Sequence, residues 1–155
     1  MTDWKSNIIT ATEAIHEILE SSRRIAVLGI KPESRSHKPA HSVPRFLQAE
    51  GFEIIPVPTY YQGVNTILGE QVYRSISAIP GHVDLVDVFR KPLDIPAHLS
   101  DIILKAPSAV WFQKGIRNDE AARELAIAGI RVVQDRCTAI ELRRMKRRHV
   151  SERWA

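Results

Sequence analysis

Ile25-Ala26-Val27-Leu28-Gly29 is a run of four apolar residues closed by a glycine. No polar side chain interrupts it, so the strand it predicts must be covered on both faces. Strands of that kind are central and parallel. A glycine at the end of such a strand lets a ligand approach the backbone at that point.

The segments on either side support this reading. Upstream, Thr10-Ala11-Thr12-Glu13 has the spacing of a capping box, and Ala14, Ile15, Ile18 and Leu19 follow at helical spacing as far as Ser21-Ser22. Downstream, a loop leads to a helix predicted over His41 to Glu50, with Val43, Phe46 and Leu47 on one face and Gly51 just past its end. Glu53 to Pro58 reads as a second strand, in which Pro56 lacks a donor and predicts a bend or an irregular partner. Gly69 to Tyr73 is a short edge strand at most. Val83 to Phe89, Ala109 to Gln113 and Ile130 to Gln134 are further strands. Between and after them, helices are expected over Leu93 to Leu104, Asn118 to Ala128 and Thr138 to Arg148.

Strands alternating with helices imply right-handed crossovers. The expectation is an α/β domain of three layers, with a mostly parallel, doubly wound sheet of five main strands. It forms one domain over 1–155, with a core of about 15–145 and a basic tail at 146–155.

Composition narrows the function. Hydrophobic residues make up 44% of 155 residues, enough for a core. No apolar run approaches the roughly 18 residues of a membrane span, and Met1 to Ser6 does not read as a secretory signal. Cys137 is the one cysteine, so no intrachain disulfide is expected and cytoplasm is the expected compartment. The net charge of +4 comes from the C-terminal segment, where Arg143, Arg144, Lys146, Arg147, Arg148 and Arg153 cluster. A basic tail can touch nucleic acid, but no aromatic residues are interleaved as stacking platforms. A solvated helix end is expected instead.

In doubly wound sheets a ligand sits beyond the carboxyl ends of the strands. That rule selects Gly29 to Ala40, Val57 to Tyr60, Phe89 to Pro92 and Gln113 to Arg117. The first lacks a G-x-G-x-x-G fingerprint, and the second, Val57-Pro58-Thr59, offers no carboxylate to a ribose. Nicotinamide and flavin dinucleotides are therefore not expected. Lys31, Arg35, Lys38, Arg90 and Lys91 supply positive charge, Phe89 a ring, and Gln113 an amide. His37 and His41 have no third metal ligand near them in sequence. Asp84 and Asp87 face opposite sides of their strand, and Asp87 is expected to accept backbone or helix N-terminal donors. Cys137 reads as a small buried residue.

The ordered series Ile25-Ala26-Val27-Leu28-Gly29, Ile55-Pro56-Val57-Pro58, Leu68-Gly69-Glu70, Val83 to Arg90, Val110 to Asn118 and Gln134-Asp135-Arg136-Cys137 resembles the stand-alone CoA-binding domain family. That family is similar to the N-terminal domain of the succinyl-CoA synthetase alpha subunit. The resemblance runs from about Ile15 to Met145. It implies a Rossmann-like domain binding coenzyme A or acyl-CoA without catalysis, because the synthetase's phosphohistidine belongs to another domain.

By resemblance, Gly29, Ile30 and Lys31 face the phosphates, and Pro39, Ala40 and His41 open the helix beneath them. Val57 and Pro58 border the adenosine. Phe89, Arg90 and Lys91 line the adenine and phosphate region. Phe112, Gln113 and Gly115 border the diphosphate and the start of the pantetheine arm. Lys114 joins Lys31, Arg90 and Lys91 as cations for the phosphates. Two positions depart from the family pattern: Lys31 where serine is usual, and Pro58-Thr59 where Asn-Pro is usual. The first loop is also about two residues longer than is usual in the family. Two other functions compete with this one: an acyl-CoA enzyme with His41 as its base, and a protein or nucleic-acid module built on the tail.

Overall fold

The computed structural model describes residues 3–154. Five parallel strands make the main sheet: β1 (Arg24–Leu28), β2 (Glu53–Val57), β5 (Leu85–Val88), β6 (Ala109–Phe112) and β7 (Arg131–Val133), in the order β2-β1-β5-β6-β7. A separate antiparallel hairpin holds β3 (Thr66–Ile67) and β4 (Glu70–Gln71). Its turn, Leu68-Gly69, has positive φ at both residues, the twist that suits a two-residue hairpin.

The helices are α1 (Thr12–Ser21), α2 (Pro39–Ala49), α3 (Leu99–Lys105), α4 (Asp119–Ile127) and α5 (Thr138–Trp154). Alternation along each strand sorts the core into two clusters. Val86, Val88, Val110, Phe112 and Val132 pack with Leu99 and Ile102 of α3 and Ala121, Ala122 and Leu125 of α4. Ile25, Val27, Leu85, Trp111 and Val133 pack with Ile15, Ile18 and Leu19 of α1, Leu47 of α2 and Leu142 of α5. The chain is a three-layer, Rossmann-like α/β domain.

The strand order reverses between β1 and β5. At that point Gly29 leaves β1 with φ +87, and an ideal Cβ there would lie 2.3 Å from the Phe89 carbonyl oxygen. Only glycine permits these two strand exits to lie side by side. The close approach expected here was that of a ligand; the nearest neighbour is the protein's own backbone.

Several local expectations are corrected. The capping box does not form: Ala11 is the N-cap of α1 and no side chain caps it. Pro56 causes no bend. It pairs in register with Val27 in a sheet-edge strand. Its carbonyl points away from β1 to accept the Tyr73 amide at 2.9 Å, so the missing N–H lies on the side where no neighbouring strand needs it. The helix expected over Leu93 to Leu104 begins only at Leu99, after 3-10 turns at Pro92–Asp94 and Pro96–His98. α2 starts at Pro39 rather than His41. α5 continues through the basic tail to Trp154. There Lys146 pairs with Glu50, Arg148 with Glu13, and Arg143 lies 4.3 Å from the Phe46 ring centroid.

Gly29→Ala is expected to destabilise the fold by more than about 2 kcal/mol, through both positive φ and the clash with Phe89. Gly129→Ala, which has positive φ but nothing within 4 Å of the added Cβ, should cost about 1 kcal/mol. Thermal melting of the two variants side by side checks the ordering, and equal costs would contradict it.

Candidate functional site at the carboxyl rim

α2 contains Pro44, which cannot donate to the carbonyl four residues back. That carbonyl belongs to Ala40, and it instead accepts the Lys31 amide at 3.1 Å. The proline thus frees an acceptor that ties the loop after β1 onto the first turn of α2. The N-terminal end of α2 is held against the exits of β1 and β5, with the Ala40 amide in its first turn free of any intrahelical acceptor.

A cleft of about 360 Å³ opens at this junction. It is lined by Lys31, Lys38, Pro39, Ala40, Phe89, Arg90, Lys91, Pro92, Gly115 and Ile116. Four of these side chains are cations and none is a carboxylate. A second cleft, of about 340 Å³, lies over β1 and β2 and is lined by Val57 and Pro58 with Leu28, Thr59, Gln62, Arg74, Ser75, His98 and Asp101. Arg90 joins the two. Its Nη1 donates to Thr59 Oγ1 at 3.2 Å, its Nη2 lies 3.5 Å from the Asp94 carboxylate, and its guanidinium lies 5.5 Å from the Tyr60 ring centroid. Arg90 Nε is buried without a partner among the described residues, as is His98 Nε2. Burial, with the positive charge of Arg90 beside it, holds His98 below its ordinary pKa.

Seven expected site residues therefore meet in one cleft: Lys31, Pro39, Ala40, Phe89, Arg90, Lys91 and Gly115. Val57 and Pro58 line the adjoining one. Gly29 contributes backbone only. Four others turn elsewhere. Ile30 and Phe112 are buried in the two core clusters. His41 is 2% exposed, and its Nε2 meets Glu33 Oε2 at 2.7 Å. Burial would raise the Glu33 carboxyl, but His41 and the Leu68 amide outweigh it and lower its pKa.

Gln113, 4% exposed, faces inward, where Nε2 donates to Asp87 Oδ1 at 2.6 Å and to Thr138 Oγ1 at 2.8 Å. The Thr138 hydroxyl donates in turn to Asp87 Oδ2 at 3.1 Å. Asp87 thus takes side-chain donors, not the backbone or helix-amide donors expected. Burial pushes its carboxyl up to about 7, against the opposing pull of Gln113 and Thr138. Lys114 also lies elsewhere, in a third cavity beyond Gly115.

Residues 23–143 match the model of the CoA binding domain family. The chain belongs to the CoA binding domain family. It is 35% identical over 127 residues to the uncharacterized protein YneT of Bacillus subtilis, covering 81% of this chain and 90% of that one. The cell-free ID.343 structure from Thermus thermophilus is 36% identical, with a TM-score of 0.81 over 88% of this chain and 99% of that one. A hypothetical protein from Pyrococcus horikoshii is 31% identical, with a TM-score of 0.79 over 88% of this chain and 92% of that one.

The CoA binding domain carries an acid in its interior whose titration should register in stability. The native Asp87 carboxyl holds its proton up to about pH 7, whereas an unperturbed one releases it near 3.8. Between those values the native state binds more protons than the unfolded chain. Stability from this group is therefore lost as pH rises through that window, at up to about 1.4 kcal/mol per pH unit. Asp87→Asn keeps the size of the group and partners for Gln113 and Thr138. Denaturant titrations from pH 4 to 8 should show a flatter slope in the variant, and parallel curves would contradict this assignment.

Proposed function

We propose that the chain binds coenzyme A or an acyl-CoA along the carboxyl rim of its sheet, as a non-catalytic binding module. The observation that carries this is the cleft over the strand reversal, with four cations, no carboxylate and the start of α2 in its wall. A diphosphate needs charge-assisted donors, and a helix N-terminus adds about half a positive charge. The adenosine would extend toward Val57, Pro58 and the Tyr60–Arg90 pair. The pantetheine arm would run the other way, past Gly115.

The unpartnered Arg90 Nε supports the placement of a phosphate. It is a buried donor with no acceptor among the described residues, and such groups normally find one. Lack of catalysis is supported by the position of His41, the one candidate base, which is buried against Glu33. The basic tail is partly engaged with Glu50, Glu13 and Phe46, which favours a packing role over a nucleic-acid surface. No described helix is long and apolar enough to cross a membrane. The single cysteine favours a reducing, cytoplasmic setting.

Isothermal titration with CoA, 3′-dephospho-CoA and NAD tests the proposal. CoA should bind tightest, and NAD, with no 3′-phosphate and no pantetheine, weakest. Lys91→Ala, an exposed cation at the cleft, should weaken CoA by about three- to tenfold without moving the melting temperature. Equal affinity for all three ligands, or no binding, would remove the proposal.

A further inference from the structure

The cleft of about 340 Å³ over β1 and β2 differs in chemistry from its cationic neighbour. It holds one cation, Arg74, and one carboxylate, Asp101, so its lining is formally neutral. Both are committed to the backbone. Arg74 donates to the carbonyls of Tyr60, Tyr61, Gln62 and Val64 at 2.6 to 3.3 Å, which holds the loop after β2 in place. Asp101 accepts the amides of Ile76 at 2.7 Å and Ser77 at 3.2 Å. Leu28, Val57 and Pro58 give the cleft an apolar wall.

One polar group there has no partner. The 3-10 turn Pro96–His98 delays the start of α3 and carries His98 at the cleft. His98 Nε2 is buried without a hydrogen bond among the described residues. Burial and the nearby Arg90 hold the imidazole below its ordinary pKa, so it is uncharged near pH 7. A buried polar atom of this kind normally finds a partner, and a neutral imidazole nitrogen can donate or accept. A phosphate finds no surplus charge here. A flat, uncharged heterocycle fits, with a face on the apolar wall and one edge toward His98.

We infer that His98 determines the base specificity of the rim, its Nε2 hydrogen-bonding the edge of the adenine ring that carries the exocyclic amine. This rests on the proposed binding of CoA at the rim. An uncharged Nε2 accepts from that amine, which is the donor an apolar wall would otherwise leave unpaired. The 3′-phosphate is then left to the cationic cleft, where Lys31, Lys38 and Lys91 stand with Arg90.

Calorimetric titration tests this with CoA, 3′-dephospho-CoA, etheno-CoA, in which a carbon bridge closes that edge, and phosphopantetheine, which has no base. His98→Phe keeps a ring and removes both nitrogens. It should weaken CoA and 3′-dephospho-CoA by the same factor, about two- to tenfold, the size of one hydrogen bond. Etheno-CoA should bind the wild-type chain more weakly than CoA and lose nothing further in the variant. Phosphopantetheine should bind both proteins alike. His98→Gln, whose amide reaches near the Nε2 position, should recover most of the affinity for CoA. The melting temperature of His98→Phe should not fall, because an unpartnered polar atom leaves the interior. The nitrogen resonance of His98 Nε2 should shift on adding CoA and stay in place with phosphopantetheine.

Unchanged CoA affinity in His98→Phe, with CoA still bound by the wild-type chain, overturns this inference and leaves the rim site standing. A loss for CoA that is absent for 3′-dephospho-CoA also overturns it, since His98 would then read the phosphate. An equal loss for phosphopantetheine does the same, as the mark of a structural role. Failure of every CoA compound to bind overturns both readings.

Discussion

The close approach of two strand exits, Gly29 against the Phe89 carbonyl, is the constraint on which the site depends. Because nothing larger fits, the chain leaving β1 turns at once, and Ile30 drops into the core as an anchor. Lys31 then docks on Ala40 through the acceptor that Pro44 leaves unused. A glycine, a buried isoleucine and a helix-interior proline together fix where the start of α2 points. It faces Phe89, Arg90 and Lys91 across the reversal of strand order, where doubly wound sheets hold their ligands.

The same side of the sheet carries unusual polarity. Asp87, Gln113 and Thr138 lock β5, β6 and the start of α5 together, and His16 and Glu141 join α1 to α5. Trp111, fully buried, donates its Nε1 proton to the Arg136 carbonyl at 2.8 Å. These contacts pin the segment 134–137, which forms part of the wall of a cavity of about 530 Å³. Buried polar pairs stabilise less than well-packed apolar ones, but they fix one geometry. Here that geometry sets the position of α5 beneath the rim.

The strands were legible because short apolar runs bounded by turn or polar residues have few other readings, and the four rim segments followed from the sheet alone. Side-chain direction at the rim was less legible, though parity held the clue. Gln113 lies two residues beyond Trp111 and so shares its face, turned inward toward the start of α5 rather than out into the rim cleft. Phe112, one residue off, faces α3 and α4. Of the bend or irregular partner expected at Pro56, the second is found, Tyr73 from outside the strands, and which edge of β2 is paired is a long-range fact. Pro44 went unremarked because its consequence falls on Lys31, in the loop before the helix, and shows only once that loop is folded back onto α2. The joining of the two rim clefts through Arg90 had no sequence signal, because Thr59 and Asp94 are brought to it by loop geometry.

The polyanion is proposed to sit at one rim of the sheet, over the strand reversal. Amide chemical shifts recorded while CoA is titrated into the labelled protein test it most directly. The largest perturbations should fall on Ile30, Ala40, Lys91 and Gly115. Perturbations confined to the opposite rim, around Arg24, Gly81 and Asp84, would contradict it.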